Sequence, residues 1–137
     1  MMMETHASER MLTKSDHVRL MRLTARLEPE ESQSVQSPLE DSYLVPSPAI
    51  PASVITMYTQ VLLEGEPPTA PFKVTLCYPA DAKPARGFIS VLSPLGASLL
   101  GLEAGATARW RTPLGEDRSA RVLKVLFQPE ASGDYMT

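Results

Sequence analysis

Glu28, Glu30 and Glu31 bring three carboxylates close together, and carboxylates are natural ligands of a hard cation such as magnesium. One or two of them usually share the ion with other oxygen donors. The same residues also make an ordinary acidic connection between helices, satisfied by water alone. Cys77 is the only cysteine, so it has no partner for an internal disulfide, which fits a reducing compartment. His6 and His17 lie far from it along the chain. That scatter leaves no metal-binding spacing, and a cysteine–histidine nucleophile would have to be assembled by the fold. Cys77 itself reads as a structural strand residue. A basic set completes the inventory: Ser15, Arg19, Arg22 and Arg26 share one face of a predicted helix. Such a row is most often a solvated face; its sharper reading is a contact strip for an acidic partner.

The bulk composition narrows the field further. A chain of 137 residues has room for one ordinary domain and a short appendage. With 43% hydrophobic and 21% charged residues it reads as globular, but aromatics make up only 6%. The formal charge is −3 and no run of lysine and arginine dominates, which argues against direct, sequence-independent binding to nucleic acid. A polypeptide partner is the expectation. Met1 to Arg10 lacks an apolar signal core, and no stretch approaches the ~20 apolar residues that span a bilayer. The expected location is the cytoplasm, and the expected character is that of a non-enzyme without a cofactor.

The elements that must position these groups fall into three zones. Residues 1–45 read as a short helical hairpin, 46–52 as a proline-rich linker, and 53–137 as a mainly stranded domain. Thr13 and Asp16 form a T-x-x-D capping box for the first helix, and Leu20, Met21, Thr24 and Leu27 follow helical spacing. Pro29 is expected to end it, with a polar loop through Gln36. A second helix is expected from Ser37-Pro38-Leu39-Glu40, with Leu39, Tyr43 and Leu44 as its apolar edge and Pro46 as its stop. Pro46, Pro48 and Pro51 stiffen the joint. Beyond it, 54–56 and 61–63 read as strands. Phe72 to Tyr78 alternates, placing Phe72, Val74, Leu76 and Tyr78 on one buried face. Phe88 to Val91 is a further strand, and Ser93-Pro94 opens a brief helix that Gly101 ends. Residues 106–111 and 119–127 complete the set. The sum is an α+β domain, an antiparallel sheet against one short helix.

The run Ile89-Ser90-Val91-Leu92-Ser93-Pro94-Leu95-Gly96-Ala97-Ser98-Leu99-Leu100-Gly101-Leu102 resembles the signature of the Gre-factor C-terminal domain, found in bacterial transcript-cleavage factors and their relatives. The likeness extends through Val54 to Met57, Tyr78 to Ala82 and Val122 to Glu130. The tail Ala131 to Tyr135 is similar to that of the Rnk branch, the regulators of nucleoside diphosphate kinase.

The resemblance implies an FKBP-like fold that docks on the rim of the RNA polymerase secondary channel, with the hairpin projecting into the channel. Carried onto the matching positions, Ser93, Pro94 and Leu95 fall in the docking loop, with Asp81 and Ser90 as further candidates. A capped helix start presents a rigid proline and an apolar leucine on a preorganised edge, which lowers the entropy cost of docking. The residues alone also allow Ser93 and Pro94 merely to start a helix while Leu95 packs inward. Cleavage-stimulating members carry acidic residues at the tip of a long coiled coil, where they help to hold a magnesium ion. Here Thr13 to Leu27 spans only about 15 residues, roughly 22 Å, and the returning helix reads as shorter still. Glu28, Glu30 and Glu31 are therefore expected at a tip that falls short of the metal, without transcript cleavage. The expected function is regulation of elongation, with nucleic acid contacted only through the polymerase. Two rivals stand beside it. One is a non-polymerase partner, such as regulation of nucleoside diphosphate kinase. The other is prolyl isomerisation, which needs an aromatic pocket that Trp110, Phe72, Phe88, Phe127 and four tyrosines are too few to build.

Overall fold

The computed structural model describes residues 9–135; His6 lies outside them. A five-stranded sheet forms the body. It is built from β3 (Gln60–Gly65), β4 (Phe72–Cys77), β5 (Phe88–Ser90), β6 (Thr107–Arg111) and β7 (Asp117–Phe127), in the order β5-β4-β3-β7-β6. Ahead of it lie β1 (Met11–Thr13), the helices α1 (Lys14–Thr24) and α2 (Pro29–Asp41), and β2 (Tyr43–Val45). The short helix α3 (Pro94–Leu99) follows β5. The class is α+β, as the residue pattern indicates.

The sheet departs from the antiparallel expectation at one edge. β3 pairs antiparallel with β4 and β7, and β6 with β7, but β5 runs parallel to β4, with Leu76 opposite Ile89. Parallel neighbours need a crossover rather than a hairpin. Residues 78–87 supply it through two short 3-10 turns, Pro79–Asp81 and Pro84–Arg86. Gly87 ends that connection at φ 83°, where a Cβ would press on the Lys73 carbonyl. Two register shifts in the β3–β7 pair leave Leu123 and Leu126 unpaired and exposed.

The second helix differs most from the reading above. It begins at Pro29, runs through the stretch expected as a loop, and is the longer of the pair at 13 residues against 11. Pro29 sits in its first turn, where the missing N–H costs nothing, and the Glu28 amide donates to Glu31 Oε1 at 3.0 Å. Only Val35, Pro38 and Leu39 are buried on α2, so the segment looks polar although it is helical. Tyr43 and Leu44 are no part of it. They belong to β2, which pairs parallel with β1, and both are exposed. In β4, Val74 and Leu76 are buried as expected, but Phe72 at the strand start is exposed and Tyr78 lies just past its end. Val54–Thr56 is not a strand; Val54 makes one isolated bridge to Glu103.

A single apolar cluster joins these parts. Leu12, Leu20, Val35 and Leu39 from the first zone pack with Ile55, Met57, Val61, Leu63, Leu76, Leu99, Leu100 and Val122. Burial of such side chains contributes roughly 1.5–3 kcal/mol each, which offsets the marginal stability of two short helices. Polar staples fix the geometry. Thr13 caps α1 by accepting from the Asp16 amide at 3.0 Å, and Asp16 Oδ2 accepts from the Met57 amide at 3.1 Å. Gln128 Nε2 donates to the carbonyls of Pro51 and Val54, each at 2.8 Å, tying the end of β7 to the linker.

Asp16 is almost wholly buried. Desolvation, reinforced by the nearby Glu130, lifts its carboxyl from 3.8 to about 6 against the opposing pull of the Met57 bond and Arg19. A folded-state value above the unfolded one means the folded chain holds that proton more tightly. The resulting stabilisation is full below about pH 4 and is lost as pH rises through about 6. Asp16→Asn keeps an acceptor for Met57 but cannot ionise. In urea titrations it should flatten the parent's decline between about pH 4 and 7 by on the order of 2–3 kcal/mol. Superimposable pH profiles would contradict this account of the junction.

Candidate functional site

The sequence Ser90-Val91-Leu92-Ser93-Pro94-Leu95-Gly96 folds into a tight knot between β5 and α3. The Ser93 hydroxyl donates to the Ser90 carbonyl at 2.7 Å and accepts from the Gly96 amide at 3.0 Å, so one side chain closes the loop and caps the helix. Ser90 Oγ accepts from the Leu92 amide at 3.0 Å. Pro94 occupies the first helical position. The helix then passes so close to β5 that a Cβ on Gly96 would collide with the Ser90 carbonyl, a backbone atom that cannot step aside. At the other end, Arg10 Nη1 donates to the carbonyls of Ala97, Ser98 and Leu100 at 3.3, 3.1 and 2.6 Å, satisfying the orphan acceptors of α3.

This knot forms one wall of an open cleft of about 320 Å³. Ser90, Ser93, Pro94 and Leu95 all line it, facing Ala82 and Pro84 from the crossover and Trp110 and Pro113 from the β6 side. The lining is predominantly apolar. Leu95 is only half-buried: it packs against the core and still reaches the cleft, so both roles weighed for it coexist. Asp81 does not line the cleft. It sits in the neighbouring turn, exposed, and accepts a hydrogen bond from the Tyr58 hydroxyl. Burial, reinforced by that bond, raises the Tyr58 pKa, and Tyr58 packs its ring 5.8 Å from that of Tyr78. Asp81 thus braces the turn that carries Ala82.

The other candidate groups lie elsewhere. Glu28, Glu30 and Glu31 are exposed at the α1–α2 turn, with Glu31 engaged in the helix start. Arg19, Arg22 and Arg26 line a separate cleft with Leu23, Tyr78, Pro79 and Ala80. Cys77 is buried on β4, its thiol donating to the Ile89 carbonyl at 3.5 Å, and burial pushes its pKa up, away from a reactive thiolate. His17 Nε2 bonds the Leu39 carbonyl at 3.1 Å, so it joins α1 to α2 rather than meeting the cysteine.

A family model for the C-terminal part of the transcription elongation factor GreA/GreB matches residues 50–127, which include the whole knot and all five strands of the main sheet. The chain belongs to the GreA/GreB family. The regulator of nucleoside diphosphate kinase from Escherichia coli (strain K12) is 33% identical over 109 residues, covering 77% of each protein, and its counterpart from Shigella flexneri matches equally. Among solved structures, the prokaryotic transcription elongation factor GreA/GreB from Nitrosomonas europaea superimposes with a TM-score of 0.72 at 30% identity. That superposition covers 87% of this chain and 98% of that one. The signature run quoted above, read as a Gre-type resemblance, falls inside the matched region.

For this GreA/GreB-family chain the cleft also contains residues that the sequence reading passed over. Trp110 entered it only in an aromatic count, and Ala82, Pro84 and Pro113 not as site residues at all. β6 reaches the cleft only because the chain brings it beside α3, and no local pattern announces that. The knot itself yields a test. Ser93→Ala should cost about 1 kcal/mol of unfolding free energy, and Gly96→Ala more, about 1–3 kcal/mol, by forcing α3 off β5. Denaturant midpoints check both, and a Gly96→Ala protein as stable as the parent would refute the close approach.

Proposed function

We propose that this protein is an elongation regulator that binds RNA polymerase at the rim of the secondary channel through the Ser93–Leu95 cleft, and that it does so without stimulating transcript cleavage. The observation that carries the reading is the convergence of Ser90, Ser93, Pro94 and Leu95 on one apolar cleft. Their positions are locked by the capping bonds before any partner arrives, so little conformational freedom is lost on docking. Trp110 and Leu95 supply apolar surface of the kind that anchors an interface. Asp81 contributes by holding the turn opposite, one step removed from the contact.

The absence of cleavage follows from reach. Helices of 11 and 13 residues extend about 17 and 20 Å at 1.5 Å per residue. Their buried side chains Leu20, Val35 and Leu39 also tie them to the body of the protein. Glu28, Glu30 and Glu31 then sit at the tip of a short hairpin and act at the channel entrance rather than at a metal ion. In this reading residues 1–45 are an occupying arm, 46–52 its linker and 53–137 the docking head, and the protein works in the cytoplasm alongside the polymerase. The relative's name, regulator of nucleoside diphosphate kinase, would then describe a consequence of altered transcription; no residue of the cleft specifies a kinase contact. A prolyl isomerase reading finds little support, because Phe72, Phe88 and Phe127 are exposed rather than gathered into the interior.

Leu95→Asp should weaken binding to core polymerase by about 2 kcal/mol, roughly thirtyfold, and, because Leu95 also packs against the core, should lower the unfolding free energy by about 1–3 kcal/mol while the transition stays cooperative. Glu30→Ala should leave that affinity within about twofold, and stalled elongation complexes should show no transcript cleavage with either protein. Unchanged affinity in Leu95→Asp, or robust cleavage by the parent, would overturn the reading.

A further inference from the structure

A second cleft, of about 440 Å³, lies where α2 meets α3 and β6. Its chemistry is the opposite of the docking cleft. Gln33 and Ser34 line it from α2, and Arg10, Arg109 and Arg111 are among its other lining residues. Among the described residues that line it there is no carboxylate. Arg111 is committed to Asp117, with Nε 3.0 Å from Oδ1. Among the described residues Arg10 has no carboxylate partner of this kind. Its Nη1 bonds go to three neutral carbonyls, and burial alone pushes its pKa down. Its Nε and Nη2 protons take no part in those bonds, and a guanidinium has five such donors. A partly desolvated cation facing a carboxylate-free cleft is a seat for an anion. Arg109 stands exposed at the same cleft.

The remaining wall is planar and apolar: Trp110, with Pro38 and Pro94. Guanidinium groups, amide and hydroxyl donors and an indole within a few hundred cubic ångströms suit a ligand that carries both phosphate and an aromatic ring. We propose that this cleft binds a free nucleotide, with its phosphates between Arg10 and Arg109 and its base against Trp110. The consequence reaches past the cleft. Pro94 and Trp110 also line the docking cleft, so the two share a wall. A nucleotide on one side adjusts the surface offered to a partner on the other, and the cleft's position between α2 and α3 lets the same ligand bridge arm and head. The site stands on its own geometry, independent of the identity of the docking partner.

Trp110 is the only tryptophan in the chain, so its fluorescence reports on this wall directly. The full-length protein is titrated separately with ADP, GDP, CDP and UDP, with inorganic pyrophosphate and a short single-stranded oligoribonucleotide as comparison ligands, and calorimetry repeats each titration. The expected result is a saturable change with at least one nucleoside diphosphate at up to millimolar concentration. Its affinity should fall at least tenfold in Arg109→Ala and in Ser34→Glu, which places a carboxylate in the cleft. Both positions are exposed, so neither change should disturb folding, and matching unfolding transitions check that. Arg10 is left intact because it caps α3. Pyrophosphate binding as tightly as the nucleotide would show that the ring is not recognised, and overturns the proposal. Tighter binding of the oligoribonucleotide overturns it in favour of a nucleic-acid strand. No saturable signal or heat with any of the four nucleotides, or equal affinity in both variants, also overturns it.

Discussion

The approach of α3 to β5 is the constraint on which the rest of this structure turns. A helix lies against the Ser90 carbonyl only because residue 96 has no side chain, and Ser93 fixes the contact by bonding to Ser90 on one side and Gly96 on the other. From that contact follow the direction in which Pro94 and Leu95 face, the wall they share with Trp110, and the position of the α3 carbonyls that Arg10 caps. Two clefts of contrasting character are thus built on the two sides of one short helix. One is apolar and open; the other is lined by three arginines, of which Arg111 is paired with Asp117.

The same helix links the N-terminal zone to the sheet. Leu99 and Leu100 belong to the cluster that takes in Leu12, Leu20, Val35 and Leu39, while Asp16 and Gln128 tie α1 and β7 to the irregular segment between Pro51 and Met57. Hairpin and head therefore share their apolar interior and are coupled mechanically. An arm anchored in this way keeps a defined orientation relative to the sheet. The buried carboxyl of Asp16 makes that junction responsive to pH, since its ionisation is opposed by desolvation.

Much of this was legible in the residues. The T-x-x-D start of α1, the alternation through Val74 and Leu76 and the Ser-Pro opening of α3 each carry a local physical signal, and each element lies where that signal put it. The cleft was half legible: the Ser93 to Leu95 edge is contiguous in sequence, whereas Trp110 and Pro113 arrive by sheet order, which no short-range pattern encodes. The failures share a cause. α2 was missed because a helix burying only Val35, Pro38 and Leu39 looks like a polar loop, and because Pro29 starts a helix as readily as it stops one. The parallel pairing of β5 was missed because the crossover is made of two 3-10 turns rather than a helix. Asp81, grouped with the docking residues by resemblance, is not among the cleft's lining residues and accepts from the Tyr58 hydroxyl in the adjacent turn.

The central claim is that the protein meets RNA polymerase through the knot and not through its arm. Amide hydrogen exchange of the full chain, alone and saturated with core polymerase, tests this most directly. The account predicts slowed exchange through residues 89–100 and 108–113, with little change at the turn carrying Glu28, Glu30 and Glu31. Protection confined to that turn and the two helices, or no protection anywhere, would contradict it.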